Sequence, residues 1–270
     1  MVNKWSNSEV GKRRIVLAIA GFDPSSGAGI TADLKVYEAH GLYGASAITA
    51  LTVQSTQGVR RVEATSPEVL AETLDFLGED LEISGVKIGM LATAENVDAV
   101  RRFLCGAGVA RSYVVLDPVL RSSSGKELFS AKGVSGMRQE LLPQVGWLTP
   151  NTEELTVLTG LAAGNRLEVE AAAERLAAEF PGLNLVVTGG HLESPDDYIR
   201  LATGERQWLP GHRIETTSTH GTGCVFSSAL LARLVLGDSP AEAAAGAKAF
   251  VAEAMAAAKP IGKGRGPCLG

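Results

Sequence analysis

Residues 15–29 read IVLAIAGFDPSSGAG, a run of six apolar residues that leads directly into a glycine-rich loop. An apolar run without alternation is typical of a strand that is buried on both faces of a sheet. A helical pattern follows over Ile30–His40 and stops at Gly41, a residue type favoured just after a helix ends. This strand–loop–helix unit predicts an α/β fold.

The rest of the chain repeats the unit, because short β-rich runs alternate with longer helical patterns. Such alternation indicates a sheet covered by helices. Further strands are predicted at Ala45–Val53, Val86–Ile88, Tyr113–Leu116, Trp147–Thr149 and Leu185–Val187, with an edge hairpin over Asp197–Trp208. The alanines of Ala45–Val53 fit a helix equally well. Helices are predicted to begin near Ser66-Pro67, Thr93, Ala131, Thr152 and Leu167, and to cover Gly223–Leu236 and Pro240–Ala258.

Composition sets the class of protein. The chain has 270 residues, of which 45% are hydrophobic and 20% charged, so a sizeable core is expected and disorder is not. No repeat or composition break divides it, and a single domain over residues 1–270 is expected, with residues 1–13 flexible. A net charge of −5 argues against nucleic-acid or membrane-surface partners.

The cysteines and the hydropathy pattern suggest a location. Cys105, Cys224 and Cys268 are odd in number and widely spaced, which excludes a disulfide framework and favours a reducing cytoplasm. No stretch of 18 consecutive apolar residues occurs, so no membrane span is predicted. The apolar run at residues 15–20 is too short for a signal peptide, and no targeting segment is expected.

The loop over Gly21–Gly29 suits a polar ligand or an anion, because its glycines allow close backbone approach at a helix start. Part of it, Gly27-x-Gly29-x-x-Ala32, matches the dinucleotide fingerprint only weakly, since the first glycine does not follow the strand directly. A connection with no ligand remains an alternative. No Walker A loop is present, so any ATP site has another architecture.

The segment Thr219-His-Gly-Thr-Gly-Cys224 opens a helix and is the sharpest local signal. Gly221, Thr222 and Gly223 leave successive backbone N–H groups free to form an anion hole at the positive helix end. Cys224 lies in the first turn, where the helix field is expected to lower the thiol pKa and favour a thiolate base. The alternative is a small hydrophobic core residue.

Two polar groups follow predicted strands. Asp117 comes after a buried run and should emerge at the carboxyl edge of the sheet, where α/β proteins bind ligands. Asn151 and Glu154 are spaced as a helix capping box. The functional alternative is that Asp117 and Glu154 hold the waters of a Mg²⁺ ion, which binds through few carboxylates plus substrate phosphates.

In combination these motifs resemble the hydroxymethylpyrimidine/phosphomethylpyrimidine kinases of thiamin biosynthesis, in the ribokinase-like superfamily. The resemblance runs almost end to end. Its motifs are Ala18–Ile30, Ala32–Lys35, Tyr43-Gly, Ile48–Leu51, Gln54–Val59, Lys87–Leu91, Leu116–Val119, Leu141–Pro143, Leu148–Asn151, Gly189–His191, Thr219–Cys224 and Gly264–Pro267.

The resemblance implies a three-layer α-β-α sandwich with a mainly parallel central sheet. It also implies transfer of the ATP γ-phosphate to 4-amino-5-hydroxymethyl-2-methylpyrimidine and then to its monophosphate, with Mg²⁺, in a homodimer. Carried over to this sequence, the pyrimidine pocket comprises Gly21, Asp33, Gln54 and Met90. Cys224 is the catalytic base beside the anion hole, and ATP and Mg²⁺ are bound at Asp117, Asn151, Glu154 and Thr188.

The sequence departs from the family pattern at three positions. Phe22 replaces a small residue after Gly21, and Ser26 replaces a glycine. Thr188 stands where relatives carry a lysine that helps to hold ATP phosphates, a role that Lys126 or Arg121 would have to take over.

Three other functions compete with this hypothesis. The nearest is a pyridoxal or pyridoxine kinase, since that ring also carries a hydroxymethyl arm. A Rossmann-type oxidoreductase would instead require nicotinamide binding. A non-catalytic pyrimidine sensor would be stabilised by ligand without releasing ADP.

Overall fold

The computed structural model describes residues 13–122, 125, 127–190 and 192–269. The flexibility expected for residues 1–13 falls, apart from Arg13, outside this part of the chain. Lys126, one of the two cations expected to compensate for Thr188, also lies outside the described residues.

The strands form one sheet in the order β3-β2-β1-β4-β5-β6-β7-β8-β9 over the described residues. Neighbours from β2 to β7 run parallel, whereas β3, β8 and β9 are antiparallel to their neighbours. The strands are β1 (Ile15–Phe22), β2 (Tyr43–Ser55), β3 (Gly58–Ala64), β4 (Ile83–Ile88), β5 (Val114–Leu116), β6 (Trp147–Leu148), β7 (Asn184–Val187), β8 (Asp197–Arg200) and β9 (Arg206–Leu209). A mainly parallel sheet is thereby confirmed.

Helices connect and cover these strands. They are α1 (Gly29–Ala39), α2 (Pro67–Asp80), α3 (Ala94–Gly106), α4 (Ala131–Gly136), α5 (Thr152–Thr159), α6 (Arg166–Glu179), α7 (Thr222–Leu236) and α8 (Pro240–Ala257). Several starts carry the side-chain caps that their sequences indicate. Ser66 accepts a hydrogen bond from the Val69 backbone, and Thr93 accepts one from the Asn96 backbone.

Two apolar cores lie on opposite faces of the sheet, and β1 contributes to both. Leu17 and Ile19 pack into the core beneath α2, α3, α5 and α6. Val16, Ala18 and Ala20 pack into the core beneath α1, α7 and α8. Successive side chains of a strand point to opposite faces, so an entirely apolar strand is what a central strand of a three-layer sandwich requires. The expected α-β-α sandwich is confirmed.

The structure resolves one ambiguity of the sequence prediction and adds one strand. The ambiguous Ala45–Val53 segment is strand, because it pairs with β1 on one side and with β3 on the other. Strand β3 was not predicted, and its polar Gly58–Ala64 sequence suits an edge position where one side of the strand faces solvent.

The predicted edge hairpin is confirmed as β8 and β9. None of the helices described is both long and apolar enough to cross a bilayer.

Candidate active site

A cavity of about 1990 Å³ opens at the carboxyl edge of the parallel strands. Each parallel strand contributes one residue to the cavity, and this residue lies at or just beyond the carboxyl end of the strand. These residues are Gln54 from β2, Gly21 from β1, Met90 after β4, Asp117 after β5, Asn151 after β6 and Thr188 after β7. The edge where the chain order reverses, between β1 and β4, is the position at which open α/β sheets bind ligands.

The N-termini of α1 and α7 meet at this cavity, and neither N-cap residue, Ala28 or Gly221, caps its helix with a side chain. Gly221 has φ +82°, and a Cβ there would collide with the carbonyl oxygen of Gly27. Gly29 has φ +56° and leaves no room for a Cβ beside the carbonyl of Gly21. Gly221 is therefore required for the two loops to touch, whereas Gly29 allows the first loop to close on itself. The contact between the loops brings two positive helix ends to one wall.

The structure brings together all but one of the residues expected at the site. The cavity is lined by Gly21, Gln54, Met90, Asp117, Asn151, Glu154, Thr188, Gly221, Thr222, Gly223 and Cys224. The exception is Asp33, which is fully buried and absent from the lining. The expectation that Asp33 faces the pocket is wrong for this structure.

Asp33 lies behind the cavity wall because it is paired with a lysine. Lys87 of β4 places Nζ 2.9 Å and 3.0 Å from the two carboxylate oxygens of Asp33, and both side chains are fully buried. Ser228 Oγ donates to the same carboxylate at 2.8 Å. Burial by itself lowers the pKa of Lys87, but the nearby Asp33 carboxylate outweighs it and raises that pKa, so the ammonium is retained.

Cys224 lies where the sequence places it, but its acidity is the reverse of that expected. The backbone N–H of Gly29 donates to its Sγ at 3.4 Å. Burial raises the pKa of the Cys224 thiol to about 12, and Asp33 and Asp117 add to the effect, whereas Lys87 opposes it. The field of the helix end does not overcome the loss of solvent. The expected lowering of this pKa is wrong, and the catalytic role of Cys224 remains a prediction.

Asp117 and Glu154 form the acidic side of the cavity. Ser227 Oγ of α7 donates to Asp117 Oδ2 at 3.1 Å. Burial raises the pKa of Asp117 to about 6, and burial together with the Asp117 charge raises that of Glu154 to about 8. Two carboxylates that are buried near each other in this way repel when both ionise, which is the arrangement that a bound cation relieves.

Asn151 and Glu154 also have the structural role that their spacing predicts. Asn151 Oδ1 accepts from the Glu154 backbone at 2.9 Å, and Glu154 Oε2 accepts from the Asn151 backbone at 2.9 Å. The capping box is thereby confirmed. Thr188 is half-buried beside it, with its backbone N–H donating to Pro150 O at 2.9 Å.

Sequence reasoning did not assign a role to Asp23 or to His220, although both lie within quoted motifs. Both line the cavity and both are buried. Asp23 holds the loop before α1 through four hydrogen bonds, and His220 Nε2 lies 2.7 Å from its Oδ2. The available signal was Asp23 followed by Pro24 and serines, a turn composition in which an Asp side chain accepts from the backbone that follows.

Known proteins resemble this chain over most of its length. A family model described as phosphomethylpyrimidine kinase matches residues 23–269. The hydroxymethylpyrimidine/phosphomethylpyrimidine kinase of Haemophilus influenzae is 38% identical over 257 residues, which span 93% of this chain and 94% of that protein.

Solved structures extend the comparison to the fold. The phosphomethylpyrimidine kinase of Clostridium difficile superposes with a TM-score of 0.79 at 31% identity, over 90% of this chain and 99% of that one. The pyridoxal kinase of Staphylococcus aureus in complex with AMP-PCP and pyridoxal gives 0.84 at 28% identity, over 94% and 92% of the two chains. The fold is ribokinase-like, as expected. With its family model, its relatives and its sheet in agreement, the chain belongs to the phosphomethylpyrimidine kinase family of phosphotransferases.

Proposed function

We propose that this protein transfers the γ-phosphoryl group of ATP to the hydroxymethyl oxygen of 4-amino-5-hydroxymethyl-2-methylpyrimidine, and then phosphorylates the monophosphate, in thiamin biosynthesis. The observation that carries the proposal is the composition of the cavity at the sheet edge. The cavity is lined by a wall with polar and apolar residues, by the N-termini of α1 and α7, and by the carboxylates of Asp117 and Glu154. Its volume of about 1990 Å³ exceeds the usual range for a single small ligand, about 300–1,000 Å³. A nucleotide and a pyrimidine fit that space together.

The pyrimidine is proposed to bind against Gly21, Gln54 and Met90. A Cβ at Gly21 would lie 2.4 Å from Met90 Cε, so the two residues are already in contact and form one apolar wall. The amide of Gln54, on the neighbouring strand, offers the hydrogen-bonding groups that a ring nitrogen or an amino group requires. Asp33 supports this wall from behind through Lys87 and α7.

The transferring phosphoryl group is proposed to lie at Gly221–Gly223, where the first N–H groups of α7 face the cavity. Cys224 follows immediately and contacts the substrate hydroxyl. Because its thiol is neutral near pH 7, we assign it to orienting that hydroxyl rather than to a preformed thiolate. Positioning and charge neutralisation contribute most of the catalysis in phosphoryl transfer.

ATP and Mg²⁺ are proposed to bind at Asp117, Asn151, Glu154 and Thr188. The donor set fits the ion, because Mg²⁺ is held through one or two carboxylates, waters and substrate phosphates. When bound, the ion would neutralise phosphate charge and the repulsion between Asp117 and Glu154. The S. aureus complex with AMP-PCP supports use of a nucleotide by this fold.

We propose that helix α8 supplies the positive charge near Thr188. Lys248 of α8 lines the cavity and lies 2.8 Å from Asp197, whose other carboxylate oxygen accepts from the Gly189 backbone. Arg121 is the other cation that the sequence offers in place of the family lysine. It also lines the cavity, but its side chain is more than half exposed and lies 3.4 Å from Glu127. Both cations are paired with a carboxylate, but Lys248 is anchored through Asp197 to the backbone that follows Thr188, and it is therefore our candidate for the charge that Thr188 lacks.

We also propose a single domain, a homodimer and a cytoplasmic location. The family model spans residues 23–269 without interruption, which supports one domain. Leu51 and Val53, apolar side chains exposed on β2, support the dimer. Cys105, Cys224 and Cys268 are unpaired, as is usual in a reducing compartment.

The test of the function is ADP release measured with the hydroxymethylpyrimidine, its monophosphate and pyridoxal in parallel. Turnover of both pyrimidines above pyridoxal is the expected result. Pyridoxal is the second candidate substrate, because the S. aureus pyridoxal kinase shares the fold at a TM-score of 0.84. Turnover of pyridoxal alone would replace the proposal by vitamin B6 salvage, and stabilisation by a pyrimidine without ADP release would replace it by a sensor.

A further inference from the structure

Three side chains from different elements meet at the pyrimidine end of the cavity. Asp23 follows β1, Gln54 lies on β2, and His220 immediately precedes the N-cap of α7. Asp23 is 3% exposed and His220 is 9% exposed. Both are therefore held in place, while Gln54 is half-buried and borders the cavity.

The hydrogen bonds of Asp23 fix the proton on His220. Oδ1 of Asp23 accepts from the Ser25 backbone and hydroxyl at 2.8 Å and 2.7 Å, and Oδ2 accepts from the backbones of Gly27 and Ala28 at 3.2 Å and 3.0 Å. Burial by itself raises the pKa of Asp23, but the hydrogen bonds from His220 and Ser25 outweigh it and lower that pKa. An ionised carboxylate only accepts, so His220 Nε2, 2.7 Å from Oδ2, carries a hydrogen and donates it.

The proton on His220 determines which side of the Gln54 amide faces it. Gln54 Nε2 lies 3.0 Å from His220 Nε2, which pairs two donors. On the other side, Thr52 Oγ1 lies 2.9 Å from Phe22 O and 3.2 Å from Gln54 Oε1, and its single hydrogen can be donated to only one of them. Donation to the nearer Phe22 O leaves Thr52 Oγ1 as an acceptor beside Gln54, so both neighbours then favour the opposite arrangement. A half-turn of the amide exchanges its oxygen and nitrogen without displacing other atoms.

We propose that Asp23 and His220 are a positioning pair that holds Gln54 with Oε1 towards His220 and Nε2 towards Thr52. In this arrangement His220 Nε2–H is shared between Asp23 and Gln54, and one N–H of Gln54 is donated to Thr52. The other N–H is left for a ligand in the cavity. The inference rests on the proposed function and deepens it by naming the ligand feature that Gln54 reads.

That feature is a hydrogen-bond acceptor, namely an unprotonated nitrogen of a heteroaromatic ring. A ring that presents an N–H at the same place would face the N–H of Gln54, and both donors would lose their bonds to water. Leaving buried donors unpaired in this way reduces affinity by about 10- to 100-fold. The pair thus makes the site select aminopyrimidine-like rings over their protonated or pyrimidone-like counterparts.

The orientation of the amide is tested directly by NMR on the unliganded wild-type protein. The two Nε2–H resonances of Gln54 are identified as the pair that disappears in Gln54→Glu. We expect their nuclear Overhauser contacts to reach the Thr52 methyl group and not the ring protons of His220. Contacts to the His220 ring instead would overturn the inference, whatever the protein phosphorylates.

The donor role is tested by pairing Gln54→Glu with a substrate whose acceptor ring nitrogen is replaced by C–H. Glutamate still accepts from His220 but has no N–H to donate. We expect either change alone to raise KM about 10- to 100-fold with a much smaller effect on kcat. The two changes together should raise KM little more than one change alone. A KM increase for the combined changes equal to the product of the two single increases would overturn the donor role of Gln54.

The role of the pair itself is tested with His220→Phe, which keeps a ring against Gly27 but removes the N–H. We expect KM for the pyrimidine to rise to the level of Gln54→Glu while kcat is largely retained, and the amide contacts of Gln54 to divide between two orientations. An unchanged KM and a single orientation would overturn the positioning role. If the wild type phosphorylates no pyrimidine, the proposed function fails, and the amide contacts still decide the orientation.

Discussion

Cys224 shows how two general effects compete at one residue. The N-terminus of a helix lowers the pKa of a thiol because its partial positive charge stabilises the thiolate. Removal from water raises the pKa because the full charge of the thiolate loses its solvation. Here burial prevails, and the carboxylates of Asp33 and Asp117 strengthen it. The sequence shows that Cys224 lies at a helix end but not how far it is removed from water. It therefore predicts the wrong direction for the shift of the Cys224 pKa.

The contribution of Cys224 to turnover is tested by two substitutions. Cys224→Ala is expected to lower kcat about 10²-fold, because the substrate hydroxyl loses the group that orients it. Cys224→Ser is the matched control. It keeps a hydrogen-bonding group and is expected to stay within about 10-fold of wild type, whereas a thiolate base would make serine as poor as alanine. Near-wild-type kcat in the alanine variant would contradict any catalytic role.

The raised pKa of Cys224 is tested by alkylation with iodoacetamide, followed residue by residue with mass spectrometry. Only the thiolate reacts, so a thiol with a pKa of about 12 is expected to react more slowly than an ordinary one at pH 8. Its rate should then rise about 10-fold per pH unit, without a plateau, through pH 10. Cys105, which is exposed, serves as the internal control. A plateau for Cys224 below pH 9 would contradict the burial argument.

At the scale of elements, helix α7 organises the site from its first two turns. Its N-terminus faces the cavity, Ser227 holds Asp117, and Ser228 holds Asp33. Through Asp33 the helix is connected to Lys87 on β4. A central strand and two helices of one layer are therefore joined at Asp33, which is ion-paired with Lys87 and accepts a hydrogen bond from Ser228, and these contacts fix α1 and α7 relative to the sheet.

Breaking this pair is expected to destabilise the fold. Lys87→Met leaves Asp33 without its partner in a fully buried position, and the free energy of unfolding is expected to fall by about 3–5 kcal/mol. Urea unfolding measures the effect. The control is Arg102→Met, which removes a mostly exposed partner of Asp98 and is expected to cost less than about 1 kcal/mol. Equal losses in the two variants would show that the buried pair contributes nothing special.

The elements differ in how far sequence predicts them. Strand β1 and helix α1 are predicted because an apolar run and a glycine-rich loop carry their own signals. Strand β3 is not, because a polar edge strand acquires its structure by pairing with β2. The same applies to the site. Residues at strand ends are predicted to meet at the sheet edge, whereas Lys87 beside Asp33, and His220 beside Asp23, are contacts between distant segments.

For the whole molecule, the hairpin of β2 and β3 joins the cavity to the outer surface. Side chains alternate along β2, so Thr52 and Gln54 border the cavity while Leu51 and Val53 point the other way. Leu51 is 54% exposed and Val53 is 44% exposed. The outermost strand, β3, carries the exposed charges of Arg60, Arg61 and Glu63, which discourage strand addition at that edge. A second copy is therefore expected to cover the face of the hairpin rather than extend the sheet.

This geometry predicts the assembly and its link to activity. Wild type is expected to be a dimer by size-exclusion chromatography with light scattering. Leu51→Lys combined with Val53→Lys should give a monomer, because it places two charges in an apolar interface. The control, Leu167→Lys, changes a side chain that is 78% exposed on α6 and should remain dimeric. Because Gln54 lies on the same strand as the altered residues, the monomer should show a higher KM for the pyrimidine. A monomeric wild type, or a monomeric variant with unchanged KM, would show that the outer face does not support the cavity wall.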